Sequence, residues 1–285
     1  LGVAGALGVA LIALRSQQEN WSQEERDSAI AALRAARPTA VNLAWGVDQV
    51  TPELVNGPSS VLNSALAISR ADGLANRAMG KLGAAYLLDK CGKKKLRILT
   101  HCNTGSLATS DWGTALGVIR ELSDQGYIEE VFADETRPLL QGSRLTAWEL
   151  SEAGIKYRIL PDGAAASALF SGLIDAVLIG ADRIARNGDS ANKIGSLGVS
   201  VAAKESGVPF LVVAPESTID RSLASGDEIE IEFRADSEVT HFAGIAVAPL
   251  GSKSYNPAFD VTLARYITAI VTEKCVYNLA AGLEI

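Results

Sequence analysis

From Leu96 onward, short apolar runs alternate with helical patterns, and this alternation most narrows what the chain can fold into. Leu96–Thr100, Glu130–Asp134, Lys156–Leu160, Ala176–Ile179 and Pro209–Ala214 read as strands. Helical patterns lie between and after them, near Trp112–Gln125, Arg144–Ala153, Ala164–Ser171 and Ala191–Ser206. Strands joined by crossover helices run parallel, and a parallel sheet needs helices on both faces. The expected class is therefore α/β, a Rossmann-like, mostly parallel sheet with flanking helices. The first 93 residues show no strand alternation. A helix is expected at Ser22–Ala36, with an acidic first turn and a stop at Pro38, and another at Ser59–Leu88, broken near Asp72-Gly73. The apolar opening Leu1–Leu14 reads as a buried helix, too short to cross a bilayer. Residues 1–93 are thus expected to form a smaller, mainly helical domain, truncated at its start. Residues 94–285 form the Rossmann-like domain, with the boundary in Cys91-Gly92-Lys93-Lys94-Lys95, whose lysines read as a solvated connector.

Two strand ends carry reactive side chains. After Leu96–Thr100 comes His101-Cys102-Asn103-Thr104-Gly105-Ser106, and after Ala176–Ile179 comes Gly180-Ala181-Asp182. At the carboxyl rim of a parallel sheet, a thiol and a carboxylate at such positions can face one ligand. Free backbone N–H groups and the positive end of a following helix would hold an anion there and favour a thiolate at Cys102. Apolar neighbours Leu99, Ile179 and Ala181 would raise the pKa of a carboxyl such as Asp182. His101 and Cys102, adjacent on an extended segment, point to opposite sides, so a direct Cys-His dyad is not expected and His101 reads as structural. Asp189 is placed to cap the following helix and Asp260 the last one, while Trp45 and Trp148 read as packing residues.

Composition excludes several classes of function. A net charge of −7 in 285 residues argues against a phosphate-tracking nucleic-acid surface. Three cysteines without paired spacing suggest neither a disulfide framework nor a zinc site, which fits a reducing, cytoplasmic setting. No nucleotide fingerprint stands out.

The two strand ends resemble the methylthioribose-1-phosphate isomerase family. So do Glu135-Thr136-Arg137-Pro138-Leu139-Leu140-Gln141-Gly142-Ser143-Arg144-Leu145-Thr146-Ala147-Trp148-Glu149-Leu150 and Asn256-Pro257-Ala258-Phe259-Asp260-Val261-Thr262. The resemblance runs from about Arg37 to Lys274, within a superfamily that includes ribose-1,5-bisphosphate isomerases and the regulatory subunits of translation initiation factor 2B. Those regulatory subunits lack the cysteine and aspartate pair that this chain keeps as Cys102 and Asp182.

The resemblance implies an aldose–ketose isomerase acting on 5-methylthioribose 1-phosphate in methionine salvage, without metal or organic cofactor. It also implies a homodimer working on a small sugar phosphate, with no nucleic-acid or membrane partner. Cys102 and Asp182 are implied as catalytic. Phosphate would be held by backbone N–H groups of Asn103, Thr104, Gly105 and Ser106, with Arg37 and Lys193 supplying charge. Gln141 would bind sugar hydroxyls, and Asn192 would stand beside Lys193 in a first helical turn. The family's Arg-Gly-Ala-Pro turn is expected at Gly2-Val3-Ala4-Gly5, where no arginine stands. Alternatives are an isomerase of another ribose 1-phosphate, such as ribose 1,5-bisphosphate or 5-deoxyribose 1-phosphate, and a silent regulatory subunit.

Overall fold

The computed structural model describes residues 1–92, 94–279 and 285. The chain opens with four helices, α1 (Gly2–Gln18), α2 (Gln23–Ala35), α3 (Val41–Val50) and α4 (Pro58–Cys91). Ser22 starts α2 with a capping box: its hydroxyl takes the Glu25 N–H while the Glu25 carboxylate takes the Ser22 N–H, satisfying two otherwise free donors. Ala6, Val9, Ala10 and Ala13 of α1 recur at helical spacing and pack on Val47 and Val50 of α3 and Val61 and Ala65 of α4. Gly2–Gly5 lie within α1, so the turn expected there is absent.

The break expected at Asp72-Gly73 does not occur, and α4 runs unbroken for 34 residues. Tertiary contacts override the local signal. The Asp72 carboxylate accepts the N–H and hydroxyl of Ser110 at 3.0 and 2.6 Å and the Asn76 amide at 3.0 Å, which binds the helix to the loop at its side. The lysine run keeps Lys94 in an ion pair with Asp175 at 2.7 Å, while Lys93 lies outside the described residues.

Beyond α4 the main sheet is built from β1 (Leu96–Thr100), β2 (Ile128–Asp134), β3 (Tyr157–Leu160), β4 (Ala176–Ile179), β7 (Phe210–Val213), β12 (Ala269–Val271) and β13 (Val276–Tyr277). Its order is β3-β2-β1-β4-β7-β12-β13, parallel throughout except the final antiparallel pair. Alternate residues serve two cores. Ile98, Val131, Leu178 and Leu211 face the carboxyl half of α4 and α5 (Ala115–Asp124), meeting Met79, Leu87, Leu116 and Ile119. Leu99, Phe132, Val177 and Phe210 face α7 (Ala165–Phe170) and α8 (Ser196–Glu205), meeting Leu169, Val199 and Ala203. Near Arg144–Ala153 the observed helix is a π turn, Gly142–Thr146, leading into α6 (Ala147–Glu152).

The expected helix at Ala191–Ser206 opens as strand. β5 (Arg183–Ala185) turns back through Asn187-Gly188 into β6 (Ser190–Lys193), pairing Arg183 with Ala191, and only Ser196–Glu205 is helical. Gly188 at φ +89° supplies the left-handed residue this tight turn needs. β6 also pairs with β11 (Phe259–Thr262), and β5 with β8 (Ile219–Asp220), giving a second, four-stranded sheet. A short hairpin, β9 (His241–Phe242) and β10 (Ile245–Ala246), stands outside both sheets.

Three expectations about single residues change. Asp189 does not cap the helix that follows it; its carboxylate accepts the N–H of Gly226 at 3.0 Å and of Ala264 at 2.7 Å, the first residues of two short 3-10 turns. Asp260 caps α8 rather than the last helix, accepting the Gly195 and Leu197 N–H groups at 2.9 and 3.2 Å. Trp148 is 53% exposed rather than packed, and Trp45 is partly buried beside Gly2. No helix among the described residues is long and apolar enough to cross a membrane.

Candidate active site

The main sheet reverses direction of growth between β1 and β4: β2 and β3 extend it on one side, β7 and β12 on the other. Such a reversal opens a crevice at the carboxyl ends of the two strands. Thr100 of β1 pairs with Leu178 of β4, so the turns holding Cys102 and Asp182 emerge side by side at that crevice. They touch: a Cβ on Gly180 would stand 2.9 Å from the Thr104 methyl group. Both reactive residues are partly buried and keep a face toward solvent.

Cys102 is held in a left-handed conformation at φ +64°. For a residue with a side chain this costs on the order of 1 kcal/mol and persists where the surroundings impose it. Here Cys102 N–H donates to Thr136 Oγ1 at 2.9 Å, and the Thr146 hydroxyl donates to the Cys102 carbonyl at 2.5 Å. Thr136, also left-handed at φ +66°, is fixed in turn by its N–H bond to Asp162 at 2.7 Å.

Burial pushes the Cys102 thiol up to about 11, with the charge of Asp182 adding to the effect and Lys193 and the Asn103 N–H opposing it. Burial likewise pushes Asp182 up to about 6; Lys193 and Arg37 oppose this and Glu232 adds to it. The thiol therefore keeps its proton near neutral pH, whereas the carboxyl changes state there.

Arg37 and Lys193 both border this centre. Arg37 Nε donates to Glu232 at 3.1 Å and its guanidinium stands 5.8 Å from the Phe259 ring centre. Lys193 donates to the Ala258 carbonyl at 2.9 Å with its ammonium 4.1 Å from the same ring. Phe259 thus carries two cations, each held by an oxygen acceptor. Arg183 steadies the Arg37 segment by donating to the Thr39 and Pro38 carbonyls at 3.0 and 2.8 Å. Lys193 and Asn192 lie in β6 rather than in a first helical turn, and the Asn192 amide donates to Ser196 at 3.0 Å.

No helix starts at Asn103–Ser106, where the phosphate-binding turn is expected. The next helix begins only at Ala115, and the chain's own Glu149 carboxylate fills the loop. Glu149 accepts the Ser106 N–H and hydroxyl at 2.8 and 2.7 Å, the Leu107 N–H at 3.2 Å, the Asn103 side-chain amide at 3.0 Å and Arg120 at 2.7 Å. Any Cβ on Gly105 would collide with that carboxylate, and Thr104 Oγ1 is spent on the Leu116 N–H at 3.1 Å. Of this stretch, the Asn103 N–H alone is directed at the thiol. Gln141 stands at the mouth of the π turn, its Oε1 buried without a hydrogen-bond partner among the described residues.

Sequence reading gave no role to Glu149, Arg183 and Phe259, although they stand in the segments that carry the resemblance, and it passed over Glu232. Asn187-Gly188 between Ile184-Ala185 and Ser190-Ala191 is a hairpin signal that could have revealed β5, β6 and with them Arg183. Glu232 sits in irregular chain and has no comparable signature.

Several proteins are similar to this chain. A protein of Nocardia farcinica, called "Probable bifunctional methylthioribose-1-phosphate isomerase/methylthioribulose-1-phosphate dehydratase", is 52% identical over the whole of this chain, which spans about half (52%) of that protein. A 5-deoxyribose 1-phosphate isomerase of Moorella thermoacetica is 47% identical across 96% of this chain and 80% of its own length. The crystal structure of 5-methylthioribose 1-phosphate isomerase from Pyrococcus horikoshii superposes with a TM-score of 0.83 at 41% identity, covering 96% of this chain and 78% of that one. The switch-point crevice, the second sheet beside it and the four leading helices all fall within residues 1–278, which match a single family model. The chain belongs to the initiation factor 2 subunit family.

Proposed function

We propose that this chain is an aldose–ketose isomerase that converts 5-methylthioribose 1-phosphate to 5-methylthioribulose 1-phosphate, with Asp182 and Cys102 as its catalytic residues. One observation carries the reading: a carboxyl pushed up to about 6 and a protonated thiol stand side by side at the switch point of the sheet. The names borne by the Nocardia and Pyrococcus relatives support the same substrate.

A sugar phosphorylated on its anomeric oxygen has no free aldehyde, so the ring must open with acid help. In this reading Asp182 gives its proton to the ring oxygen, the C1–O4 bond breaks and C1 is left electron-poor. The C2 hydrogen then reaches C1 by one of two balanced routes. It leaves as a proton to the carboxylate now formed at Asp182, giving an enol phosphate; the Cys102 thiol then delivers its proton to C1, and its sulfur takes up the C2 hydroxyl proton as the ketone forms. Alternatively it shifts as a hydride while the C2 hydroxyl loses its proton to the carboxylate formed at Asp182. Lys193 and Arg37 supply positive charge for the phosphate, and Gln141 an amide for sugar hydroxyls. The reading includes a homodimer acting on a free sugar phosphate in the cytoplasm.

The test is ketose formation from 5-methylthioribose 1-phosphate by the parent chain, Cys102→Ala and Asp182→Asn, with 5-deoxyribose 1-phosphate as competitor. The expected result is turnover by the parent and a drop of about 100-fold or more in each variant. Preferential turnover of the 5-deoxy sugar would reassign the substrate, as the Moorella relative's name suggests. Full activity in either variant would remove that residue from the chemistry.

A further inference from the structure

His101 precedes the thiol by one residue and has no part in the steps above. Its ring is 1% exposed, and both nitrogens face acceptors: Nδ1 is 2.9 Å from Asp134 Oδ2, and Nε2 is 2.8 Å from the Ile194 carbonyl oxygen. A carbonyl can only accept, so Nε2 carries a proton. The 2.9 Å contact to the carboxyl requires a second proton, on Nδ1 or on Oδ2.

The surroundings decide which. Asp162 stands close by: one of its carboxylate oxygens, one of Asp134 and one ring nitrogen of His101 lie within 4.8 Å of one another. Such spacing could hold a metal ion, but both ring nitrogens are already engaged and the Asp162 oxygens take the Thr136 and Arg137 N–H groups at 2.7 and 2.6 Å. Asp260, whose carboxylate bonds the Gly195 N–H, also lies within range of the ring's charge. Burial pushes the Asp134 carboxyl itself up, with Asp162 and Glu135 adding to this and the hydrogen bond and charge of His101 opposing it. Carboxylates on several sides favour the proton on the ring. Burial works against an imidazolium, yet the hydrogen bond and charge of Asp134, the Ile194 carbonyl and the charge of Asp162 outweigh it and hold His101 above its ordinary value.

The ring also joins two parts of the site. Ile194 directly follows Lys193, and Gly195, at φ +107°, leaves room where a Cβ would stand 2.8 Å from His101 Cε1. One side chain therefore ties the residue before the thiol to the residue after the ammonium.

We propose that His101 is a positioning residue, kept as an imidazolium that clamps the Cys102 turn against the strand end carrying Lys193 and so fixes thiol and ammonium relative to one another. Its effect on turnover rests on the isomerase reading; its charge state does not.

The chain holds two histidines, so protein labelled with nitrogen-15 histidine gives a spectrum that His241→Gln assigns without ambiguity. The expected result is that both His101 nitrogens are still of the protonated type at a pH where an ordinary histidine has become neutral. One unprotonated nitrogen at neutral pH would overturn the proposal. In Asp134→Asn the new amide can donate to Nδ1, keeping both hydrogen bonds around a neutral ring. That variant should keep its melting temperature to within a few degrees, yet lose about tenfold in kcat with KM within about twofold. The pH midpoint for alkylation of Cys102 by iodoacetamide, read on its own peptide by mass spectrometry, should rise. A folded Asp134→Asn with kcat and alkylation profile equal to the parent would reduce the clamp to packing. If Asp134→Asn fails to fold, the spectrum of the parent still decides the charge state. If the parent turns over no sugar, the spectrum and the alkylation profile still test the clamp, and the isomerase reading alone falls.

Discussion

Asp182 makes a thermodynamic claim as well as a chemical one. Its folded value of about 6 lies above the ordinary aspartate value of 3.8, so ionising it costs more in the folded chain than in the unfolded one. The penalty is absent below the ordinary value, grows as pH rises through the interval and is complete above pH 6. Asp182→Asn, which cannot ionise, should therefore be more stable than the parent at pH 8, by about 1–3 kcal/mol, and level with it near pH 4. Denaturant unfolding at the two pH values measures this, and equal stability at both would contradict the burial of the charge. The pair Cys102 and Asp182 was legible in the sequence because each follows an apolar strand of unmistakable composition. The manner in which the Cys102 loop is held was not. Glu149 reaches that loop from a helix more than forty residues on, and nothing local marks a carboxylate that will accept five hydrogen bonds there.

At the scale of elements, Leu96–Thr100 and Ala176–Ile179 fall where their apolar runs place them, whereas the equally buried but three-residue β12 was not read. The misreadings occurred where local signals met long-range pairing. Ser190–Lys193 is short, polar and without alternation, and it is a strand because β5 and β11 pair with it on either side. Its turn offers a direct check. Gly188→Ala would put a side chain on a residue at φ +89° and set a Cβ 2.8 Å from a Leu279 methyl group. We expect a loss of about 1–3 kcal/mol in stability, read from the shift in denaturant midpoint. Because this hairpin delivers Lys193 to the site, weaker sugar phosphate binding should accompany the loss.

At the scale of the whole molecule, the expected fold class matches what is observed, a mostly parallel sheet covered on both faces and preceded by helices. Helix α4 departs from the expected pattern with the largest effect. Val61 and Ala65 near its start belong to the core shared with α1 and α3, whereas Met79, Ala84 and Leu87 near its end belong to the core under the main sheet. An unbroken helix of 34 residues, about 51 Å at 1.5 Å per residue, is thus a common wall of two interiors. Neither interior can come apart without stripping cover from half of that wall and fraying the helix toward the other. Scanning calorimetry should accordingly record one endotherm with matching calorimetric and van't Hoff enthalpies; two resolved endotherms would mean that the halves melt separately. The missing break at Asp72-Gly73 thereby makes the two cores a single cooperative unit.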